Sequence, residues 1–419
     1  MKRLAHFKFF CAILLGLLSN GVFANTNMPS SALPQLIQEA MQNNPQIKSA
    51  HDRWMAMQYA IPQAKSLPDP TIDLSHMQMT GNAEMNDNPQ HVEMIGLSQA
   101  VPFPGKLIKK GRIASLDAKR MQAEYQATQL TVVADLKKLF YELYFTNKSI
   151  QIYKKNQLLL EKIEKSAQTN YSVGKIPQQD IFRAQTEISR LLMRLVMLRQ
   201  ERVSLESDIN RILNRSLDTV ITTPSTLSIT SPRYNLSYFN SLIDRQSPQL
   251  IMQKRNVEKG SESVSLSKMD YVPDVDVSAG ELHDNVMHTE GYQVMANITL
   301  PLYFFSKQNK GVRESEANYN ADIENLYSTH RDLLFQTKND LLQIKRSSQL
   351  IRLIQHTIIP QATLTFQSSQ ANYGVGKVDF LTLLNNLLML QENELELQNE
   401  TVQHEKAIAR LEEITGILL

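Results

Sequence analysis

The chain has 419 residues, with 44 Lys and Arg against 42 Asp and Glu, a formal net charge of +2 and a single cysteine. That balance leaves no basic footprint for nucleic acid, and one cysteine excludes intrachain disulfides and clustered thiolate metal sites. Only 14 glycines in a chain of this length fit a protein dominated by helices.

Residues 1–24 read as a secretory signal peptide. MKRLAHFK is basic, FFCAILLGLLSNGVF is apolar, and Val22 and Ala24 place small residues before a cut. Cys11 sits inside the apolar run, so it serves no lipobox. The other reading, an uncleaved anchor, needs a longer span of about 20 residues. Removing the signal takes Lys2, Arg3, Lys8 and Cys11, leaving one more acidic than basic residue and no cysteine. No later segment is apolar for long enough to form a transmembrane helix.

Helical texture fills about 33–66, where Asn44 before Pro45 marks an N-cap and a first-turn proline, and it stops at Leu67-Pro68-Asp69-Pro70. Two segments at 71–79 and 92–101 alternate with period two and read as strands joined by a polar loop. Val101-Pro102-Phe103-Pro104 closes them. A stretch without breakers then runs over about 106–170, the phrase NYSVGK follows at 170–175, and a second helix covers about 177–214.

After a linker at 223–236 the same order returns. It comprises a helix over about 237–270 containing Ser247-Pro248, then Val272-Pro273-Asp274-Val275 and strands at 274–282 and 292–300. Leu300-Pro301-Leu302-Tyr303 and helices over about 307–372 and 378–414 complete it, with NYGVGK at 372–377. Landmarks matched at a spacing of about 200 residues make the chain a duplication, with repeats at 25–222 and 237–419. Pro360 is expected to break the longer helix of the second repeat.

The repeated phrase invites comparison with a phosphate loop. That loop needs an earlier Gly and a Ser or Thr after the Lys. The corresponding residues are Thr169 and Ile176 in one copy, and Ala371 and Val378 in the other. Both copies read instead as turns between helices, with glycine supplying a positive φ.

Over 177–214 an a/d seam runs through Ile181, Ala184, Ile188, Leu191, Leu195, Leu198, Leu205, Ile209 and Ile212, with Arg202 its one polar member. Such a seam argues coiled-coil packing. Val132, Leu136, Leu139, Leu143, Ile150, Tyr153 and Leu160 offer the facing stripe. The four strands have the length that crosses a bilayer at a tilt. Four strands cannot close a barrel, and an open sheet in lipid leaves backbone groups unpaired. Either they form a small soluble sheet, or several chains pool their strands; the signal peptide and the polar loops favour pooling.

The duplicated helix–hairpin–helix–helix order, with NYSVGK and NYGVGK matching a Y-x-x-G helix-tip turn, resembles the TolC family of outer-membrane efflux proteins. PDPTIDL and QAVPFPGKLIKKG resemble its heavy-metal efflux branch, which is CzcC- and CusC-like. The resemblance implies a mainly α fold with a small β part: long α-helical hairpins over four strands per chain, closing into a twelve-stranded barrel in a homotrimer. It implies an outer-membrane exit duct with its helices in the periplasm. The implied partners are a periplasmic adaptor, an inner-membrane RND-type pump and outer-membrane lipid, with no nucleic acid. No cofactor is implied.

The resemblance also places the two turns at the periplasmic mouth, around Tyr171, Gly174, Tyr373 and Gly376. In the family, closed tips are held by a Tyr before the Gly, an Arg two residues after it, and an Asp from the other repeat. Tyr373 and Asp180 occupy the Tyr and Asp places, whereas Val378 stands at the Arg place, with Lys377 beside it. Either Tyr373 and Asp180 latch, with Lys377 reaching a carboxylate, or Tyr373 packs at a turn and Asp180 is a helix N-terminal charge. Relatives nearest TolC carry two Asp residues on the last helix at places that here are Thr382 and Asn385. Asp379, one turn earlier, is the candidate gate carboxylate.

His76, Met77, Met79, Met85, His91 and Met94 gather in the first hairpin, and His283, Met287 and His288 in the second. Without closed-site spacing they read as lipid-facing or filler side chains rather than metal ligands. HExxH, GxSxG and GxGxxG are missing, and the many carboxylates read as solvated helical faces, so no enzyme is expected. The competing readings are a TolC-like duct for drugs or secreted proteins, and a periplasmic coiled-coil adaptor, which would not need two membrane-length hairpins.

Overall fold

The computed structural model describes residues 33–79, 90–230, 235–284 and 288–417. The signal peptide at 1–24, Met85 and Met287 lie outside these residues. The first helical stretch is two helices, α1 (Leu33–Asn43) and α2 (Pro45–Lys65). Asn44 makes the break: its side-chain oxygen accepts from the amides of Gln46 and Ile47, while its Nδ2 donates to the Ile212 carbonyl at 2.8 Å. Pro45 at the first helical position forfeits no hydrogen bond there. The second repeat copies the break at Ser247, between α5 (Leu236–Gln246) and α6 (Pro248–Lys268).

Strands β1 (Thr71–Met79), β2 (Gln90–Val101), β3 (Asp274–Asp284) and β4 (Thr289–Thr299) form one antiparallel sheet in the order β1-β2-β3-β4. The two hairpins lie side by side through an unbroken β2–β3 register that pairs Val101 with Val275 and Val92 with Asp284. Edges of β1 and β4 face away from the sheet.

Below the sheet run α3 (Lys106–Ser172), α4 (Gln178–Leu213), α7 (Asn309–Leu353), α8 (Ile359–Gly374) and α9 (Phe380–Thr415). At a rise of about 1.5 Å per residue, the 67 residues of α3 span about 100 Å. Helix α3 packs between α4 and α9, and α9 packs against α7 and α8, which leaves α4 and the α7–α8 rod at the two edges of the layer. The expected seam is the buried face of α4, from Ile181 to Ile212, with Ile188 half-buried. It meets the predicted stripe on α3, where Val132, Leu136, Leu143, Ile150 and Leu160 are buried.

One expectation holds in part and one needs correction. Pro360 does interrupt the α-helix, which stops at Leu353 and resumes at Ile359, but it does not end the rod. A π-helical turn at Ile354–Ile358 precedes it, so the wider turn absorbs the missing amide and the ring while the rod continues as α8. A second π turn, Phe304–Gln308, sits where the second repeat carries one extra residue between its strand-ending proline and the glycine at the start of the long helix. Nor are all helical carboxylates solvated: Glu400, Glu405 and Glu412 on α9 are buried. Each is compensated by hydrogen-bond donors. Glu400 accepts from Ser347 at 2.6 Å, Glu405 from the Thr230 amide and hydroxyl at 2.9 Å each, and Glu412 from Lys137. Glu405 thereby ties the inter-repeat linker to the waist of the bundle.

Candidate functional site

Strand pairing fixes which side chains share a face. Ile72 pairs with Leu97, Leu97 with Ala279, and Ala279 with Val294, so this row and its neighbours at even distance form one face. On it Ile72, Leu74, Ile95, Leu97, Tyr292, Val294 and Ile298 are all more than half exposed, and Glu281 stands in the row of Leu74, Ile95 and Tyr292. The opposite face carries Thr71, Asp73, Ser75, Ser98, Asp276, Ser278, Gln293 and Asn297, and no Lys, Arg or His among its described residues. Met77 and Met94 stand on this polar face, whereas His76, His91 and His283 stand on the apolar one.

The row of Asp73 and Gln293 has Gly96 and Gly280 between them. A Cβ on Gly280 would lie 2.9 Å from the Cα of Gly96, so the strands converge on the polar face. Glycine pairs of this kind let a sheet curl. The concave side is polar and the convex side apolar. Exposed Leu302, Tyr303 and Phe305 extend the apolar surface at the helical end.

At the far end of the rods the two repeated turns adopt one geometry. Gly174 and Gly376 have φ of 73° and 75°. The Gly174 amide donates to the Tyr171 carbonyl and the Lys175 amide to the Asn170 carbonyl, each at 2.9 Å. Gly376 and Lys377 do the same to Tyr373 and Asn372, at 3.1 and 2.9 Å. This is the Schellman arrangement, which only a left-handed residue permits. Neither glycine's missing Cβ would touch anything, so backbone conformation and not space demands glycine at both positions.

Tyr373 is 4% exposed, packed edge-on against Phe380 with ring centroids 6.1 Å apart, and its hydroxyl has no hydrogen-bond partner among the described residues. Burial, and then the charge of Asp180, push its pKa up to about 12. Half-buried in the first turn of α4, Asp180 has its own pKa raised by burial, opposed by Arg183 one turn on and reinforced by Asp379. The tips therefore bring Tyr373, Asp180 and Asp379 into one electrostatic neighbourhood, although Tyr373 makes no hydrogen bond there.

Asp379 acts locally as the N-cap of α9, accepting from the Thr382 amide at 2.7 Å and the Thr382 hydroxyl at 3.0 Å. Those two hydrogen bonds hold its carboxyl below the usual range. Asn385 and Lys377 are exposed, and Lys377 makes no ion pair among the described residues. Tyr171, the counterpart of Tyr373, is exposed. Sequence reading missed Arg183, whose i,i+3 spacing from Asp180 was the available signal. It also missed Asn386, which donates to Ser369 across α8 and α9 at 2.5 Å.

The family model described as outer membrane efflux protein matches residues 36–215 and 241–417. Among solved structures the chain is similar to the outer-membrane channel OprN, with a TM-score of 0.82 at 15% identity over 92% of this chain and 89% of that one. It is similar to VceC of Vibrio cholerae, with a TM-score of 0.80 at 17% identity over 92% and 96% of the two chains. CusC gives a TM-score of 0.79 at 13% identity over 92% of each. No match is found among curated proteins.

Proposed function

The chain belongs to the outer membrane efflux protein family, and we propose that it is the exit duct of a tripartite efflux system, conducting cargo passively from a periplasmic adaptor and an inner-membrane RND-type pump to the exterior. As a member of that family it is an outer-membrane efflux channel. One observation carries the duct reading: a sheet with an apolar convex face, a polar concave face and two free edges, set on rods of about 100 Å. Three copies pool their strands, β4 of one pairing with β1 of the next, and the resulting twelve strands leave no edge in lipid. The helical layer supports the same ring, because Phe182, Met193 and Val196 on one edge and Phe335, Leu342 and Leu364 on the other are exposed apolar surface. The repeats, 25–222 and 237–419, supply one hairpin of strands and one hairpin of helices each.

For cargo we favour heavy-metal cations. Asp73 and Asp276 on the polar face, with no basic residue among its described positions, make a lining that concentrates cations. The PDPTIDL and QAVPFPGKLIKKG segments support the same branch. A duct for drugs or secreted proteins is the alternative, and the fold likeness to OprN and VceC is as close as that to CusC. Deleting the gene and measuring accumulation of metal ions and of antibiotics decides between them: metal sensitivity alone supports the first, and antibiotic sensitivity alone the second. A purified protein that stays monomeric in detergent and gives no conductance in planar bilayers would sink the duct itself.

A further inference from the structure

Across the sheet, the row just beyond the apolar band reads His76, Glu93, His283, Glu290, one residue from each strand and all on the convex face. Each hairpin therefore contributes a histidine from its first strand and a glutamate from its second, at equivalent places in the two repeats. His76 Nδ1 lies 3.5 Å from Glu93 Oε1, and the His91 ring is 6.0 Å from the His76 ring. Two donors bound to one tetrahedral zinc ion at about 2.1 Å stand about 3.4 Å apart, so His76 and Glu93 already hold a ligand spacing. Imidazole with carboxylate suits zinc and its divalent neighbours. Among the described residues no three His, Cys, Asp or Glu side chains converge as a closed site, so His76 and Glu93 form an open, two-donor site, and His283 and Glu290 hold the equivalent places of the second hairpin.

Depth fixes what this row faces. Eight residues of β2 separate Val101 from Glu93, about 27 Å of strand, or about 20 Å of height at the usual tilt. With the exposed Leu302, Tyr303 and Phe305 below, the band matches a hydrocarbon layer, and the row stands where headgroups begin. We propose that the row His76–Glu93–His283–Glu290 binds divalent transition-metal ions on the outside of the channel, at the level of the outer headgroups and away from the cargo path. Ion binding rests on the geometry of the row alone; its outward placement rests on the channel reading above.

The test uses the purified full-length channel in detergent, dialysed against Zn2+, with bound zinc counted per chain against a detergent blank. Wild type is expected to retain zinc, the double variant His76→Gln with His283→Gln to bind about ten-fold less or weaker still, and His51→Gln on α2 to match wild type. Glu93→Gln, which also loses a donor, stands in if the double variant does not assemble. Equal zinc in wild type and variants, or wild type at the level of the blank, overturns the site. Planar-bilayer conductance separates the two parts of the proposal. Zinc that leaves conductance unchanged in wild type and variants supports the outward placement, whereas a zinc block abolished by the double variant puts these residues in the lumen and overturns that placement.

Discussion

Gly96 and Gly280 stand opposite each other at the junction of the two hairpins, so close that a Cβ on Gly280 would sit 2.9 Å from both the Gly96 Cα and the Ile95 carbonyl oxygen. These are backbone atoms and cannot rotate aside. A Cβ on Gly96 would be tight only against the Ala279 oxygen, at 3.2 Å, with the Gly280 Cα at an ordinary contact distance of 3.5 Å. Gly280→Ala should therefore lower the amount of assembled channel in the outer membrane more than Gly96→Ala does. Native gels of membrane extracts measure this, and the reverse order would mean that the curl does not depend on this contact.

The α4 seam predicts a second contrast. Leu195 is 1% exposed, and an aspartate there would bury a charge without a partner, at a cost of several kcal/mol. Arg190 is exposed, with only an i,i+3 contact to Glu187 at 3.3 Å, so Arg190→Asp should be mild. Ile188→Asp should fall between them, since Ile188 is half-buried. Protease resistance of the purified protein reads all three, and equal losses would remove the heptad frame.

The polar face yields a third. Asp73→Asn with Asp276→Asn removes two carboxylates from the concave side of each chain without touching the apolar band. Reversal potentials under a salt gradient should move toward zero, with channel levels unchanged. Unaltered cation preference would place the selective charge elsewhere and weaken the argument for cationic cargo.

What the sequence made legible was whatever is local. The Asn44-Pro45 break, the period of two in the strands, the heptads of α4 and the glycine of each tip are set by residues within a turn or two of one another. The polar and apolar faces were half legible, since alternation shows two faces but not which one is concave. Glu400, Glu405 and Glu412 read as solvated because Ser347, Thr230 and Lys137, which donate to them, lie on other elements far along the chain. The His–Glu row needed strand register, because His76 and His283 come from different repeats and become neighbours of Glu93 only by pairing. Pro360 announced an interruption but not its form, because a π turn is a response of the backbone that no residue pattern announces. Asp379 stood as a candidate gate charge, and its spacing to Thr382, which is that of an N-cap, was legible as well but was not read.

That capping predicts a different outcome for Asp379 from the one its exposure suggests. Asp379→Ala should loosen the first turn of α9, and Asp379→Ser, which keeps an acceptor, should restore it. Hydrogen exchange at the Thr382 amide distinguishes them. Exchange equal in wild type and Asp379→Ala would leave the carboxylate free for a role at the entrance.

The last prediction concerns the latch. Tyr373 offers a buried hydroxyl without a hydrogen-bond partner among the described residues, and burial, seconded by the charge of nearby Asp180, raises its pKa to about 12. A small closing movement that lets the hydroxyl donate to the Asp180 carboxylate would satisfy both groups. Hydrogen bonds to charged groups contribute about 1.5–3 kcal/mol, enough to shift an open–closed balance about ten-fold or more. Asp180→Ala and Tyr373→Phe should therefore each raise single-channel conductance, and the double variant should add little to either. The pH dependence carries the opposite sign to that of an ordinary paired aspartate. Burial raises the Asp180 pKa above its unfolded value of 3.8, so the packed tip takes up a proton that the unfolded chain has already lost. Packing is then favoured below that raised pKa and disfavoured as pH rises through it, a dependence that Asp180→Asn abolishes. The hydrogen bond to a carboxylate has the reverse demand, since it needs Asp180 ionised. Conductance that rises as pH falls marks the latch as dominant; conductance that falls marks burial as dominant. If Asp180→Ala and Tyr373→Phe both conduct like wild type, the latch is wrong. Closure then rests on apolar contacts at the tips, and Val173 and Val375, both exposed, with Val378 and the buried Phe380, are the residues to replace next.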